Sequence, residues 1–318
     1  MDIVLGPWGL LVAALVALLA LDLVVFQRGA EEISLRRAAW LSAFWLVVGL
    51  GFTGVVAATA GSAAAGEYVA GYLIERSLSV DNVFVFALLF SYFAVPAKYQ
   101  HRVLFWGVVG ALVLRAGFIA AGAALLEQFH WVIYVFGALL VVTGVKMLRS
   151  TGHSVDPGRN PVLRLLRGRV PMTDEYHGQR FLVRDGVRWV ATPMLAVLVA
   201  IETTDVVFAV DSIPAIFAVT DEPFLVFTSN AFAILGLRAL YFLLAGMMDR
   251  FIYLKTGLAA ILLFVGAKML LTEWWHIPIG VSLGVIAAIL AAAIGVSLYR
   301  TPAIDPDEAE SETETLVP

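Results

Sequence analysis

The sequence has no cysteine among its 318 residues, which excludes disulfides, thiolate metal sites and redox thiols of its own. Charge is scarce as well: Asp, Glu, Lys and Arg make up 14%, against 61% hydrophobic residues. With a mean hydropathy of +0.89, this excludes a soluble globular chain and implies an all-α, polytopic membrane protein. Histidine is rare, and His101, His130, His153, His177 and His276 all fall in or near predicted loops. No basic segment precedes the first apolar run, which follows Met1-Asp2, and no small-residue cleavage site is evident, so no signal peptide is expected. The net charge of −4 says little, because the signs are segregated between loops, and nothing points to a nucleic-acid partner.

Nine apolar runs are long enough to cross a bilayer, at about 20 residues per crossing. They are roughly 6–27, 39–61, 67–93, 103–126, 130–148, 191–219, 224–247, 251–271 and 276–299. Basic residues collect in alternate connections. The first holds Arg28, Arg36 and Arg37, the third Lys98 and Arg102, the fifth eight arginines from Arg149 to Arg188, and the seventh Arg250 and Lys255. The others (61–66, 127–129, 220–223, 272–275) hold Glu127, Asp221, Glu222 and Glu273 and no Lys or Arg. Because positive charge stays inside, the chain is expected in the inner (plasma) membrane with its N-terminus outside and its C-terminus cytoplasmic.

The 149–190 segment is the one sizeable cytoplasmic insertion. NPVLRLLRGRVP suits a short helix lying on anionic lipid, and Asp185-Gly186 within FLVRDGVRWV suits a small hairpin, although a plain connector explains both. The tail after Arg300 is acidic, contains proline, lacks periodicity and reads as disordered.

Two apolar stretches carry an unusual burden. IETTDVVFAVDSIPA, 201–215, holds Glu202, Asp205 and Asp211 with Ser212 and Pro214. ERSLSVDNVFVF, 75–86, holds Glu75, Asp81 and Asn82. A charge at the bilayer centre costs about 2.5–3.5 kcal/mol on insertion scales, so these acids need partners, water or a bound ion. Arg76, Arg115 and Arg238 offer structural ion pairs, yet five carboxylates outnumber three arginines. Pro214 cannot donate to the Val210 carbonyl, so a kinked or unwound turn is expected at 210–214.

The chain also repeats itself. TGVKMLRS ending at Ser150 matches VGAKMLLT ending at Thr272, and Arg115 lies 123 residues before Arg238. Val80-Asp81-Asn82-Val83 overlies Val210-Asp211-Ser212-Ile213, which sets Glu75 over Asp205; a register setting Asp81 over Asp205 also fits. The expected organisation is two helices in 1–66, a three-helix repeat in 67–150, a basic loop in 151–190, a second three-helix repeat in 191–272, a last helix in 273–300 and the tail in 301–318. Three spans per repeat, with none between, makes the second copy inverted, the architecture of many secondary transporters with midplane sites.

At mid-depth the donors are all oxygen, which favours Mn²⁺, Ca²⁺ or Mg²⁺ over Zn²⁺ or Cu⁺. Asp81, Asp205 and Asp211 are the expected core ligands, with Glu75, Glu202, Asn82 and Ser212 completing or gating the site. Neighbouring buried carboxylates also allow proton coupling. No enzyme is expected: an acid-pair protease finds neither Gly-x-Gly-Asp nor HExxH here. A non-transporting scaffold that docks stress-response or secretion partners through 149–190 and the tail is the alternative. No permanently bound cofactor is expected, and self-association is left open.

The segments ERSLSVDNVFVF, IETTDVVFAVDSIPAIFAVT and EPFLVFTSNAFAILGLRALYFLL closely resemble the TerC/Alx family of integral membrane proteins, over about Glu67 to Thr272. That family is associated with tellurium resistance and, in some members, manganese export and metal supply to secreted enzymes. The resemblance implies that Glu75, Asp81, Asn82, Glu202, Asp205, Asp211 and Ser212 are its acidic motifs, and that the substrate is Mn²⁺ moved outward.

Overall fold

The computed structural model describes residues 2–26, 34–129, 131–149, 161–185, 188–245, 253–274 and 277–300. The acidic tail, the Gly186 turn residue, His130, His153 and His276 lie outside these residues. The chain is mostly helical: α1 Asp2–Phe26, α2 Leu35–Tyr92, α3 Ala97–Gln128, α4 Val132–Arg149, α5 Pro161–Arg169, α6 Pro193–Phe217, α7 Pro223–Leu235, α8 Leu237–Leu244, α9 Leu254–Leu270 and α10 Ile279–Arg300. Among the described residues, six helices are long and apolar enough to cross a membrane, or seven if α7 and α8 form one bent span. The surface agrees: large apolar side chains such as Leu10, Val47, Val113 and Val142 are mostly exposed, and Trp40, Trp131, Trp274 and Tyr299 stand out near helix ends.

Helix α2 has 58 residues, about 87 Å at 1.5 Å per residue, nearly three times a hydrocarbon core of about 30 Å. It does not run straight. Gly61 has φ +88° and ψ 174°, a backbone conformation open mainly to glycine. Beyond it the second half folds back on the first: the Tyr68 hydroxyl donates to the Gly49 carbonyl at 2.8 Å. A side chain at Gly49 would strike the Tyr72 ring.

Pro193 and Pro223 open α6 and α7, where a missing N–H costs nothing. The expected unwinding at 210–214 is absent. Residues 193–217 stay helical through Pro214, because the proline falls in the last turn, where few bonds remain to break. The break comes instead at Gly236, where α7 and α8 meet at 42°.

Glycines set the tightest helix contacts. A Cβ on Gly137 of α4 would lie 3.0 Å from the Gly266 carbonyl of α9, and one on Gly144 would lie 3.0 Å from the Ala259 carbonyl. Likewise a Cβ on Gly71 of α2 would lie 2.8 Å from Ser229 Oγ of α7, and one on Gly107 of α3 would lie 3.2 Å from Ile201 of α6.

In the 149–190 segment α5 coincides with the amphipathic stretch, and β1 (Leu182–Asp185) pairs antiparallel with β2 (Arg188–Ala191). This segment is tied down. The Tyr176 hydroxyl donates to the Phe93 carbonyl at 2.6 Å, and Thr192 Oγ1 donates to the Arg180 carbonyl at 2.6 Å. Burial raises the Tyr176 pKa above its ordinary value.

Candidate functional site

Four helices carry one buried polar network. Arg115 of α3 donates through Nε and Nη2 to the two carboxylate oxygens of Asp205 on α6, at 3.1 and 2.8 Å. Its Nη1 pairs with Glu75 Oε1 on the second half of α2 and reaches Ser212 Oγ at 3.3 Å. Asn230 of α7 donates to the other Glu75 oxygen at 3.0 Å, and Ser79 Oγ donates to Oε1 at 3.4 Å. Glu75, Arg115 and Asp205 are 0%, 1% and 2% exposed, so protein groups, not bulk water, must satisfy them. The geometry follows from helix period: Asp205 and Ser212, seven apart, share a face of α6, and Glu75 and Ser79, four apart, share a face of α2. Two carboxylates on one guanidinium leave one negative charge in excess when both acids are ionised.

The other candidates lie around this network. Glu202 fills the slot left by Gly110 of α3, whose Cβ would lie 2.0 Å from Glu202 Oε1. Its Oε2 is buried and has no hydrogen-bond partner. Asp211 is set apart. Six residues beyond Asp205, about 9 Å along the axis, it accepts from Thr143 Oγ1 of α4 at 2.9 Å. Asn82 is buried within α2; the Asp81 side chain lies outside the described residues. Thr203, Thr204 and Ser77 donate to carbonyls of their own helices, which leaves them only as acceptors. Among the described residues no three Asp, Glu or His side chains form a ready metal cage. The oxygens nearest to one are those of Glu75, Asp205 and Ser212, which Arg115 holds.

The three arginines divide. Arg115 pairs with two site acids, as the sequence suggested. Arg238 does not: it pairs with Asp22 of α1 at 2.7 Å and lies 5.4 Å over the Phe105 ring. Arg76, next to Glu75 but on another face of α2, bonds the Ala233 carbonyl at 3.0 Å and Ser42 Oγ at 3.4 Å. Asp22 is the carboxylate inside the first apolar run, a helix that the sequence repeat leaves out. Thr143 left no sequence signal.

A helical chain with apolar surfaces and a charged network sealed among four helices is a polytopic integral membrane protein. Residues 60–303 match the family model described as "Integral membrane protein TerC family", and the chain belongs to that family. It is 48% identical to a Myxococcus xanthus membrane protein, STKORF319, named as uncharacterized, over 95% of this chain and 96% of that one. It is 50% identical to Alx of Escherichia coli (strain K12), named as a proposed membrane-bound redox modulator, over 92% of this chain and 94% of the relative. A Rickettsia felis membrane protein, also uncharacterized by name, is 38% identical over 94% and 99%. No solved structure matches.

Proposed function

We propose that this protein is a secondary transporter of a divalent cation, Mn²⁺ moved outward, through the acids gathered at Glu75 and Asp205. One observation carries the reading. Two carboxylates, Glu75 of α2 and Asp205 of α6, meet on one arginine, sealed from water among apolar helices. The choice of Mn²⁺ and of export rests on the family resemblance, and the oxygen-only donor set fits a hard divalent cation.

In this reading the chain crosses the inner membrane nine times, N-terminus outside and C-terminus cytoplasmic. The fold-back at Gly61 supports counting α2 twice, and α7 with α8 counts once. An inverted repeat is supported by contacts that come in matched pairs. An offset of 122 carries Gly144 to Gly266 and Gly137 to Ala259, so the Gly137–Gly266 contact maps onto the Ala259–Gly144 contact. Rising numbers on α4 meet falling numbers on α9, as a two-fold axis in the membrane plane requires. The Gly71–Ser229 contact likewise maps onto Ile201–Gly107 with offsets of 130 and 122. That choice favours Glu75 over Asp205 rather than Asp81 over Asp205.

Arg115 acts as a tethered cation. It neutralises part of the acidic site when no ion is bound, and the incoming metal displaces it from at least one carboxylate. Glu202, with a bare buried oxygen beside the network, is the group placed to take the metal or a coupling proton. Asp211 with Thr143 is a second station on the path. The Alx name refers to redox modulation; with no cysteine of its own, this chain would reach redox chemistry only through the metal it moves.

The test is cellular manganese under Mn²⁺ stress, in a strain lacking its own exporters, with the intact chain or the Asp205→Asn variant. Lower manganese with the intact chain alone is expected. Equal manganese with both proteins present in the membrane contradicts the proposal.

A further inference from the structure

Arg76 is a cation inside the helix bundle that none of the described carboxylates neutralises. Its guanidinium has five N–H donors, and its two hydrogen bonds go to a carbonyl and, at 3.4 Å, to a hydroxyl. The fold keeps it there deliberately: a Cβ on Gly236, at the α7–α8 bend, would lie 2.6 Å from Arg76 Nη1. Arg76 is half-buried, and a charge so enclosed with no described carboxylate against it is expensive.

Arg76, Ser42 and Ser77 are the polar points of a cavity of about 410 Å³ between both halves of α2, α8 and α10. The remaining wall is aliphatic, including Leu46, Val80, Leu243, Leu290 and Ile294. Leu46 and Ile294 on its rim are 39% or less but more than a third exposed, so the cavity opens on the surface that faces lipid tails. Its depth is set by two helices. Ser42 lies five residues beyond Arg37 on α2 and Ile294 six before Arg300 on α10, about 8–9 Å below the basic face of the bundle. The headgroup layer is about 5–7 Å thick on each side, so Ser42, to which the Arg76 guanidinium reaches, stands just under it.

We propose that this cavity binds an anionic phospholipid from the leaflet at that face, its phosphate on Arg76 and Ser42 and an acyl chain along the aliphatic wall. A phosphate supplies the charge-assisted bonds that the free donors lack. A free anion would have to cross the apolar rim, whereas a lipid arrives along it. Arg36, Arg37 and Arg300 at the same face favour a net-negative headgroup over a zwitterionic one. The proposal is independent of which ion the protein carries.

The experiment measures thermal unfolding of the full chain, purified in neutral detergent, against added phosphatidylglycerol, phosphatidylcholine and inorganic phosphate. Phosphatidylglycerol is expected to raise the melting temperature saturably, with a smaller rise from phosphatidylcholine and none from phosphate. Arg76→Gln should weaken the phosphatidylglycerol effect about tenfold in concentration, the loss of roughly one charged hydrogen-bonding partner. Ile294→Trp, which fills the cavity and leaves Arg76 in place, should do the same, and Arg36→Gln should leave most of the effect. An unchanged lipid response in both Arg76→Gln and Ile294→Trp overturns the proposal. So does inorganic phosphate matching the lipid, which would make the pocket a small-anion site.

Discussion

Arg115 and Arg238 stand 123 residues apart in the sequence, and both are fully buried. They differ in what meets them. Arg115 binds two carboxylates and a hydroxyl from α2 and α6. Arg238 pairs with Asp22 of α1 and rests on an aromatic ring. One pair is balanced and fastens α1 to the bundle. The other holds an excess of acid, and in the proposed reading that excess negative charge, sealed among apolar helices, is what draws in a cation. Two similarly buried arginines thus meet different neighbours, and in the proposed reading those neighbours make one a lock and the other a site.

Removing the arginines should separate the two most sharply. Arg115→Ala strands two buried carboxylates, where losing one partner of a buried pair costs about 3–5 kcal/mol. It should cost more than Arg238→Ala, which strands one, as melting temperatures in detergent would reveal. Equal losses would break the comparison. Neutralising whole pairs should sharpen it. The double variant Arg238→Gln with Asp22→Asn is expected to keep most of its manganese efflux per folded molecule, whereas Glu75→Gln with Asp205→Asn loses it.

Smaller effects test the frame that holds the two regions in register. Gly137→Leu and Gly144→Leu sit at matched points of the α4–α9 seam, so each should destabilise by a similar amount, about 1–3 kcal/mol of overpacking. Gly117→Leu on α3, where nothing lies within 4 Å of a new Cβ, should not. Unfolding in denaturant compares the three. Thr143→Val should matter least to stability, about 1 kcal/mol or less for one hydrogen bond to a half-buried acid, and should show in efflux instead.

Much of this was legible in the sequence. Apolar runs of bilayer length gave the helices, and the burdened stretches gave Glu75, Asp205 and Ser212, because a carboxylate in such a run has few innocent explanations. Arg115 could be named as a partner for the same reason. Its choice of Glu75 and Asp205 over Asp211 could not, since helix period places Asp211 on another face but does not say what packs there. The sealed turn at Pro214 and the bend at Gly236 were also illegible. A proline matters little in a last turn, while the room that Gly236 leaves for the Arg76 guanidinium depends on how α2 packs against α7 and α8. The partner of Asp22 depended on how α1 docks.

The most direct test of the account is Mn²⁺ flux into proteoliposomes holding purified protein, either intact or with Glu75→Gln and Asp205→Asn together. The account predicts flux with the intact chain and none above empty vesicles with the variant, provided the variant melts as a folded protein. Equal flux from both would contradict it, and would move the site away from the acids that Arg115 holds.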